Sequence, residues 1–181
     1  RLVATDPAEW PTISVSLPVY NEAHLIAATL EALLALDYPA DKRQVLVISD
    51  ASNDGTDDIV RRFSQRGIEL LHLPVRGGKT RCENSGAPLL RGEIVVNTDT
   101  ATRMRVDALK KLVRVFQDPT IGTASGCDAA VGTTREGSAV EATYTSYEMT
   151  LRRMETTLGS ITGSSGCCYA IRAALHRPAL P

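Results

Sequence analysis

The sequence predicts an α/β fold, a mostly parallel central sheet covered by helices. Short apolar runs alternate with stretches of helical periodicity from the first residues onward, and each run breaks off in turn-forming residues. The length of 181 residues, 43% hydrophobic and 23% charged, suits one domain with a core large enough to fold without disulfide or metal staples.

The run 12–19 alternates apolar with small residues and reads as a strand that ends at Tyr20-Asn21-Glu22. Asn21 is expected to cap the next helix, with Glu22 in its first turn and Ile26, Leu30, Leu33 and Leu34 on its apolar face, before Asp37-Tyr38-Pro39 stops it. The run 44–49 is apolar enough to be a strand buried on both faces, and it ends in Asp50-Ala-Ser-Asn-Asp-Gly55. Thr56 is expected to cap a helix with Asp57 and Asp58 in its first turn, Ile59, Val60 and Phe63 inward, and Gly67 closing it. A third strand over 68–75 leads into Arg76-Gly-Gly-Lys-Thr80 and a helix interrupted by Gly86 and Pro88; a fourth, 93–97, runs into Thr98-Asp99. The rest reads as a helix over 106–116, a short strand over 120–126, a loop over 132–137, and a helical core stripe of Tyr144, Tyr147, Leu151, Met154 and Leu158 with Glu148 and Arg152 paired on another face. Gly163-Ser-Ser-Gly-Cys-Cys168 then enters a strand over 169–171.

Several functions are excluded by composition and motif. Twenty Lys and Arg against 21 Asp and Glu give a net charge of -1, which leaves no overall electrostatic footprint for nucleic acid. Four cysteines and three histidines form no C-x-x-C pair and no zinc pattern, and unpatterned thiols fit a reducing, cytoplasmic setting. Gly77-Gly78-Lys79-Thr80 imitates the end of a phosphate-binding loop, but the glycine that loop requires five residues before Gly78 is Leu73. No glycine fingerprint follows the first strand, and Gly163-Ser-Ser-Gly166 lacks the spacing of a serine-hydrolase elbow.

In an open parallel sheet, ligands gather at the carboxyl ends of the strands. The strand exits here supply Pro18, Tyr20 and Glu22, then Asp50, Lys79 and Asp99: an aromatic ring, a cation and separated carboxylates. The ordered set Pro18-Val-Tyr-Asn-Glu22, Ser49-Asp-Ala-Ser-Asn-Asp-Gly-Thr56, Gly78-Lys79 with Asn84, and Gly92-Glu-Ile-Val-Val-Asn-Thr-Asp99 resembles the nucleotide-sugar-binding half of the family 2 glycosyltransferases, which have the GT-A fold.

The resemblance implies an inverting transfer of sugar from a nucleotide-diphospho-sugar, expected to be a UDP-sugar, to the hydroxyl of a saccharide or lipid-linked acceptor. It implies that Pro18, Val19 and Tyr20 frame the base and that Asp50 accepts a hydrogen bond from its ring nitrogen. Glu22 and Lys79 would lie near the ribose or diphosphate, and Asp99 with Thr100 would form the start of a D-x-D element holding Mg or Mn. The second acid of that element is replaced by Ala101, so Asp99 is the one metal ligand expected. By the same resemblance the catalytic base is expected beyond Pro181, so no catalytic residue is assigned here, and the Q-x-x-R-W element of processive members is absent. Residues 1–181 are thus expected to be a single domain incomplete at its C-terminus, with a donor half over about 12–126 and the start of an acceptor half over about 127–181. The resemblance further implies a membrane-associated protein at the cytoplasmic face, anchored by segments outside this chain. A catalytically silent nucleotide-sugar-binding module is the alternative that Ala101 and the missing base leave open.

Overall fold

The computed structural model describes residues 5–126, 154 and 167–176. Strand β1 (Ile13–Val19) leads to helix α1 (Ile26–Leu34), and β2 (Arg43–Asp50) leads to α2 (Thr56–Arg61). Then come β3 (Ile68–Leu73), α3 (Gly78–Gly86), β4 (Ile94–Thr98), α4 (Ala108–Arg114), β5 (Thr123–Ser125) and β6 (Cys168–Arg172). The six strands lie in the order β3-β2-β1-β4-β6-β5. β1 through β4 are parallel, whereas β6 runs antiparallel to both β4 and β5.

Helices cover both faces of the sheet, as expected of a mixed sheet in the Rossmann-like GT-A fold. The alternation along β1 separates the two faces. Val15, Leu17 and Val19 join Ile26, Leu30, Val45, Val47, Val60, Val96 and Leu109 in the larger core, against the helices on that side. Burying a side chain such as Leu17 or Ile26 contributes about 1.5–3 kcal/mol. Leu46, Ile48 and Cys82 form the smaller core beneath α3. Gly86 allows that helix to sit close, because a Cβ there would come within 2.4 Å of Ile48 Cδ1.

Two expected caps are corrected. Asn21 does not cap α1, whose N-terminal boundary is Leu25 with no side-chain cap; Asn21 instead reaches across to the loop after β2. Thr56 is the first residue of α2 rather than its cap, and Gly55 precedes it at φ 95°. Asp54 fills the capping role, its Oδ1 accepting from Thr56 N at 3.0 Å. The C-terminal end of α1 is tied down by Arg43, whose guanidinium donates to the carbonyls of Leu33, Leu34 and Leu36.

The expected membrane association is also corrected: among the described residues no helix is long and apolar enough to cross a membrane. The loop over 132–137, the stripe from Tyr144 to Leu158 apart from Met154, and the Glu148–Arg152 pair lie outside the described residues, as do Cys127 and residues 163–166.

Candidate donor-binding site

Strand order reverses at β1: β2 and β3 lie to one side of it and β4 to the other. The crevice above the carboxyl ends of β1 and β4 is therefore the topological switch point, where open α/β sheets bind ligands. Tyr20 follows β1 there, and Asp99 follows β4.

The loops after β1 and β2 are joined by hydrogen bonds. Asn21 N donates to Ser52 Oγ at 3.1 Å, and Asn21 Oδ1 accepts from Asn53 N at 2.9 Å. Glu22 N donates to Thr56 Oγ1 and Ala23 N to Asp54 Oδ2, both at 2.9 Å. Asn21 at φ 52° and Ala51 at φ 58° occupy the left-handed region, a conformation costing about 1–2 kcal/mol outside glycine. The cross-loop bonds hold Asn21 in it directly and fix Ser52, the residue next to Ala51.

Pro18 is half-buried, whereas the Val19 side chain is buried in the larger core, so only the backbone of Val19 faces the crevice. Tyr20 is half-buried, and the Arg76 guanidinium lies 3.8 Å from its ring centroid. Glu22 holds the start of α1 through its carbonyl, which accepts from Leu25 N and Ile26 N. Its carboxylate Oε2 is buried with no hydrogen-bond partner among the described residues, a costly state that an incoming hydroxyl would relieve.

Asp50 is 4% exposed, and its two oxygens accept from the backbone of the next loop, Oδ1 from Gly77 N at 2.8 Å and Oδ2 from Gly78 N at 2.7 Å. Burial pushes its pKa up, but the Gly77 and Gly78 amides, the Cys82 thiol and the Arg76 charge outweigh burial and hold it below the usual aspartate range. Gly78 sits at φ 82°, which glycine adopts freely. Lys79, in the first turn of α3, is exposed beside this loop.

Asp99 closes a tight turn. Its Oδ1 accepts from Thr102 N at 2.8 Å and lies 2.5 Å from Thr102 Oγ1. That hydroxyl is also 3.0 Å from the Cys167 carbonyl, which takes Thr98 Oγ1 at 3.2 Å, so the turn is pinned to the start of β6. The Thr100 carbonyl accepts from Thr29 Oγ1 of α1 at 3.0 Å.

For a divalent cation the donor set is sparse. Among the described residues no group of three or more His, Cys, Asp or Glu is placed to hold a metal. Ala101 is exposed and has no side-chain donor atom. Asp99 offers one carboxylate, which fits an ion of the magnesium type that takes most of its ligands from phosphate and water.

Reading the sequence alone misses Arg76 and Thr102. Arg76 was visible as a loop cation, but no spacing rule places it on Tyr20. Thr102 stands three residues after Asp99, the offset of a side-chain turn, and that signal was available.

A family model described as glycosyl transferase family 2 matches residues 14–178. Among curated proteins, an N-acetylglucosaminyltransferase of Rhizobium sp. (strain N33) is 32% identical over 121 residues, 65% of this chain and 27% of that protein. A poly-beta-1,6-N-acetyl-D-glucosamine synthase of Staphylococcus epidermidis is 29% identical over 127 residues, 69% of this chain and 30% of that protein. Among solved structures, the mannosyltransferase PcManGT from Pyrobaculum calidifontis, in complex with GDP-Man and Mn2+, superimposes with a TM-score of 0.75 at 32% identity. That match covers 94% of this chain and 47% of PcManGT. The chain thus spans roughly a third or less of these curated relatives and about half of the solved one. The switch-point geometry and a family match running through nearly all of the sequence agree, and the chain belongs to glycosyl transferase family 2.

Proposed function

We propose that this chain is the donor-binding half of an inverting glycosyltransferase that takes its sugar from a nucleotide-diphospho-sugar, a UDP-sugar in the first instance, and passes it to the hydroxyl of a saccharide or lipid-linked acceptor. The observation that supports the reading is the placement of these residues where the parallel strands end: Tyr20 and Glu22 after β1, Asp50 at the end of β2, Lys79 in the helix that follows β3, and Asp99 after β4. The Tyr20 ring provides a stacking surface for the base, with Pro18 and the Val19 backbone beside it. The Asp50 carboxylate gives one acceptor position to each of the Gly77 and Gly78 amides and one to the Cys82 thiol, and the position that remains takes the imide N–H of uracil. The buried Glu22 Oε2 accepts a ribose hydroxyl, and Lys79 meets the diphosphate. Asp99, in the turn that includes Thr100, holds a Mg or Mn ion, which supplies positive charge where the nucleoside diphosphate departs.

The solved relative bound to GDP-Man and Mn2+ supports a nucleotide-sugar donor and a divalent cation, while leaving guanine as the competing base. Titration calorimetry with UDP and with GDP, each in Mn2+, Mg2+ and chelator, tests the reading. Metal-dependent binding of UDP in preference to GDP is expected; tighter GDP binding replaces the donor, and no binding of either removes the reading. Ala101 favours a second reading, a silent nucleotide-sugar-binding module, which sugar transfer by a longer chain would exclude.

A further inference from the structure

The sheet face beneath α3 carries polar side chains that the donor site does not use. Residues paired in register share a face, which places Ser16, Leu46, Asn97 and Tyr169 together on the side that Gly86 and Cys82 of α3 cover. Ser16 and Asn97 are each 1% exposed. Ser16 Oγ, both polar atoms of the Asn97 side chain and Glu83 Oε1 are buried with no hydrogen-bond partner among the described residues. Glu83 stands one helical turn after Lys79 on α3, at the i,i+4 spacing that brings two side chains onto one stripe. A buried carboxylate with an unsatisfied oxygen is costly unless a positive charge compensates it or a proton neutralises it.

We propose that Glu83 is the buried counter-charge of Lys79, and that engagement of Lys79 by a donor's diphosphate is accompanied by proton uptake at Glu83. The inference rests on the donor-site reading above. Burial pushes the Glu83 carboxyl above the usual glutamate range, and the Lys79 charge acts in the opposite direction. Among the described residues, the sheet positions on this face carry no cation: β1 and β4 have the uncharged Ser16 and Asn97, β6 has Tyr169, and β2 has the Asp50 carboxylate. On α3 itself, Cys82 is pushed up to about 12 by burial and by the Asp50 and Glu83 charges, with Arg81 opposing them. When two anionic phosphates draw off the Lys79 charge, the ionised Glu83 loses its compensation and a proton from solvent adds to the carboxylate. The Glu83 pKa therefore rises on binding, and donor affinity through this linkage strengthens as pH falls into the interval between the free and bound values.

The test is calorimetric titration of the chain with UDP and GDP in buffers of different ionisation enthalpy, comparing wild type with Glu83→Gln. The nucleotide's own terminal phosphate contributes a buffer dependence common to both proteins. Wild type is expected to show additional uptake of a fraction of one proton per site, and Glu83→Gln is expected to lose that excess while still binding. Equal buffer dependence in the two proteins overturns the inference and leaves the donor site standing; absence of binding to wild type overturns both. A ligand-free readout is the NMR titration of the Glu83 carboxyl, whose midpoint should rise in Lys79→Met. An unchanged midpoint also overturns the inference.

Discussion

The guanidinium of Arg76 lies over Tyr20, 3.8 Å from the ring centroid, on the aromatic surface that the donor-site reading gives to a nucleobase. A cation on an aromatic face is held by about 0.5–1 kcal/mol at an exposed site, less than base–aromatic stacking at about 1–3 kcal/mol. A base can therefore displace Arg76 or close against it. Either way the ring matters more than its hydroxyl. Tyr20→Ala is expected to weaken nucleotide binding by about 1–3 kcal/mol while Tyr20→Phe leaves it nearly unchanged. Calorimetry on the two variants checks this, and equal losses would argue against stacking.

Asp50 binds two backbone amides through a carboxylate that is nearly fully buried. Asp50→Asn replaces one acceptor oxygen with a donor facing an N–H, so a stability loss of about 1–3 kcal/mol is expected in urea unfolding near neutral pH. The pH dependence has a definite sign. Folding lowers the Asp50 pKa, so its contribution is present above the unfolded aspartate value and is lost as pH falls through the folded value. The gap between wild type and Asp50→Asn should therefore narrow in acid. A gap constant with pH would mean that the amide contacts do not depend on charge.

Gly92 packs directly on the start of β1, where a Cβ would lie 2.3 Å from the Ile13 carbonyl carbon and 2.4 Å from Ser14 N. The nearest atoms are all backbone, which leaves no flexible side chain to move aside. Gly92→Ala is expected to lower stability by at least about 2 kcal/mol, read as a lowered urea midpoint with an unchanged slope.

If Asp99 holds the ion as proposed, its single carboxylate limits metal affinity by ligand number. Ala101→Asp adds a second acid in the same exposed turn and is expected to tighten Mn2+ binding in the presence of UDP by about tenfold. Asp99→Ala should abolish the metal dependence of UDP binding. If Ala101→Asp has no effect, position 101 does not face the ion.

Much of this fold was legible because local chemistry and tertiary structure agree. β1, β2 and β4 are short apolar runs cut off by Tyr20-Asn21, Asp50-Ala51 and Asp99, and turn residues of that kind leave little choice of boundary. The caps were misread for a physical reason. The oxygen of Asn21 that could have bonded its own helix bonds Asn53 N instead, a partner 32 residues away that no local rule can see. The antiparallel β6 between β4 and β5 was equally hidden, since Cys168–Arg172 has a strand's composition but nothing in it specifies direction. At the site, residue types and order showed which side chains gather, but not that Arg76 covers Tyr20 or that Val19 turns into the core.

The hydrogen bonds that join the loops after β1 and β2 bear on how such proteins can be recombined. Asn21, Glu22 and Ala23 fit only a partner stretch that offers Ser52, Asn53, Asp54 and Thr56 at matching heights. A chimera that imports one stretch from a relative without the other breaks several contacts at once and leaves Asn21 in left-handed backbone without the bonds that hold it there. The two stretches, distant in the chain, therefore form a single transferable cassette, and library designs that shuffle segments of this chain should place their crossover points outside the pair.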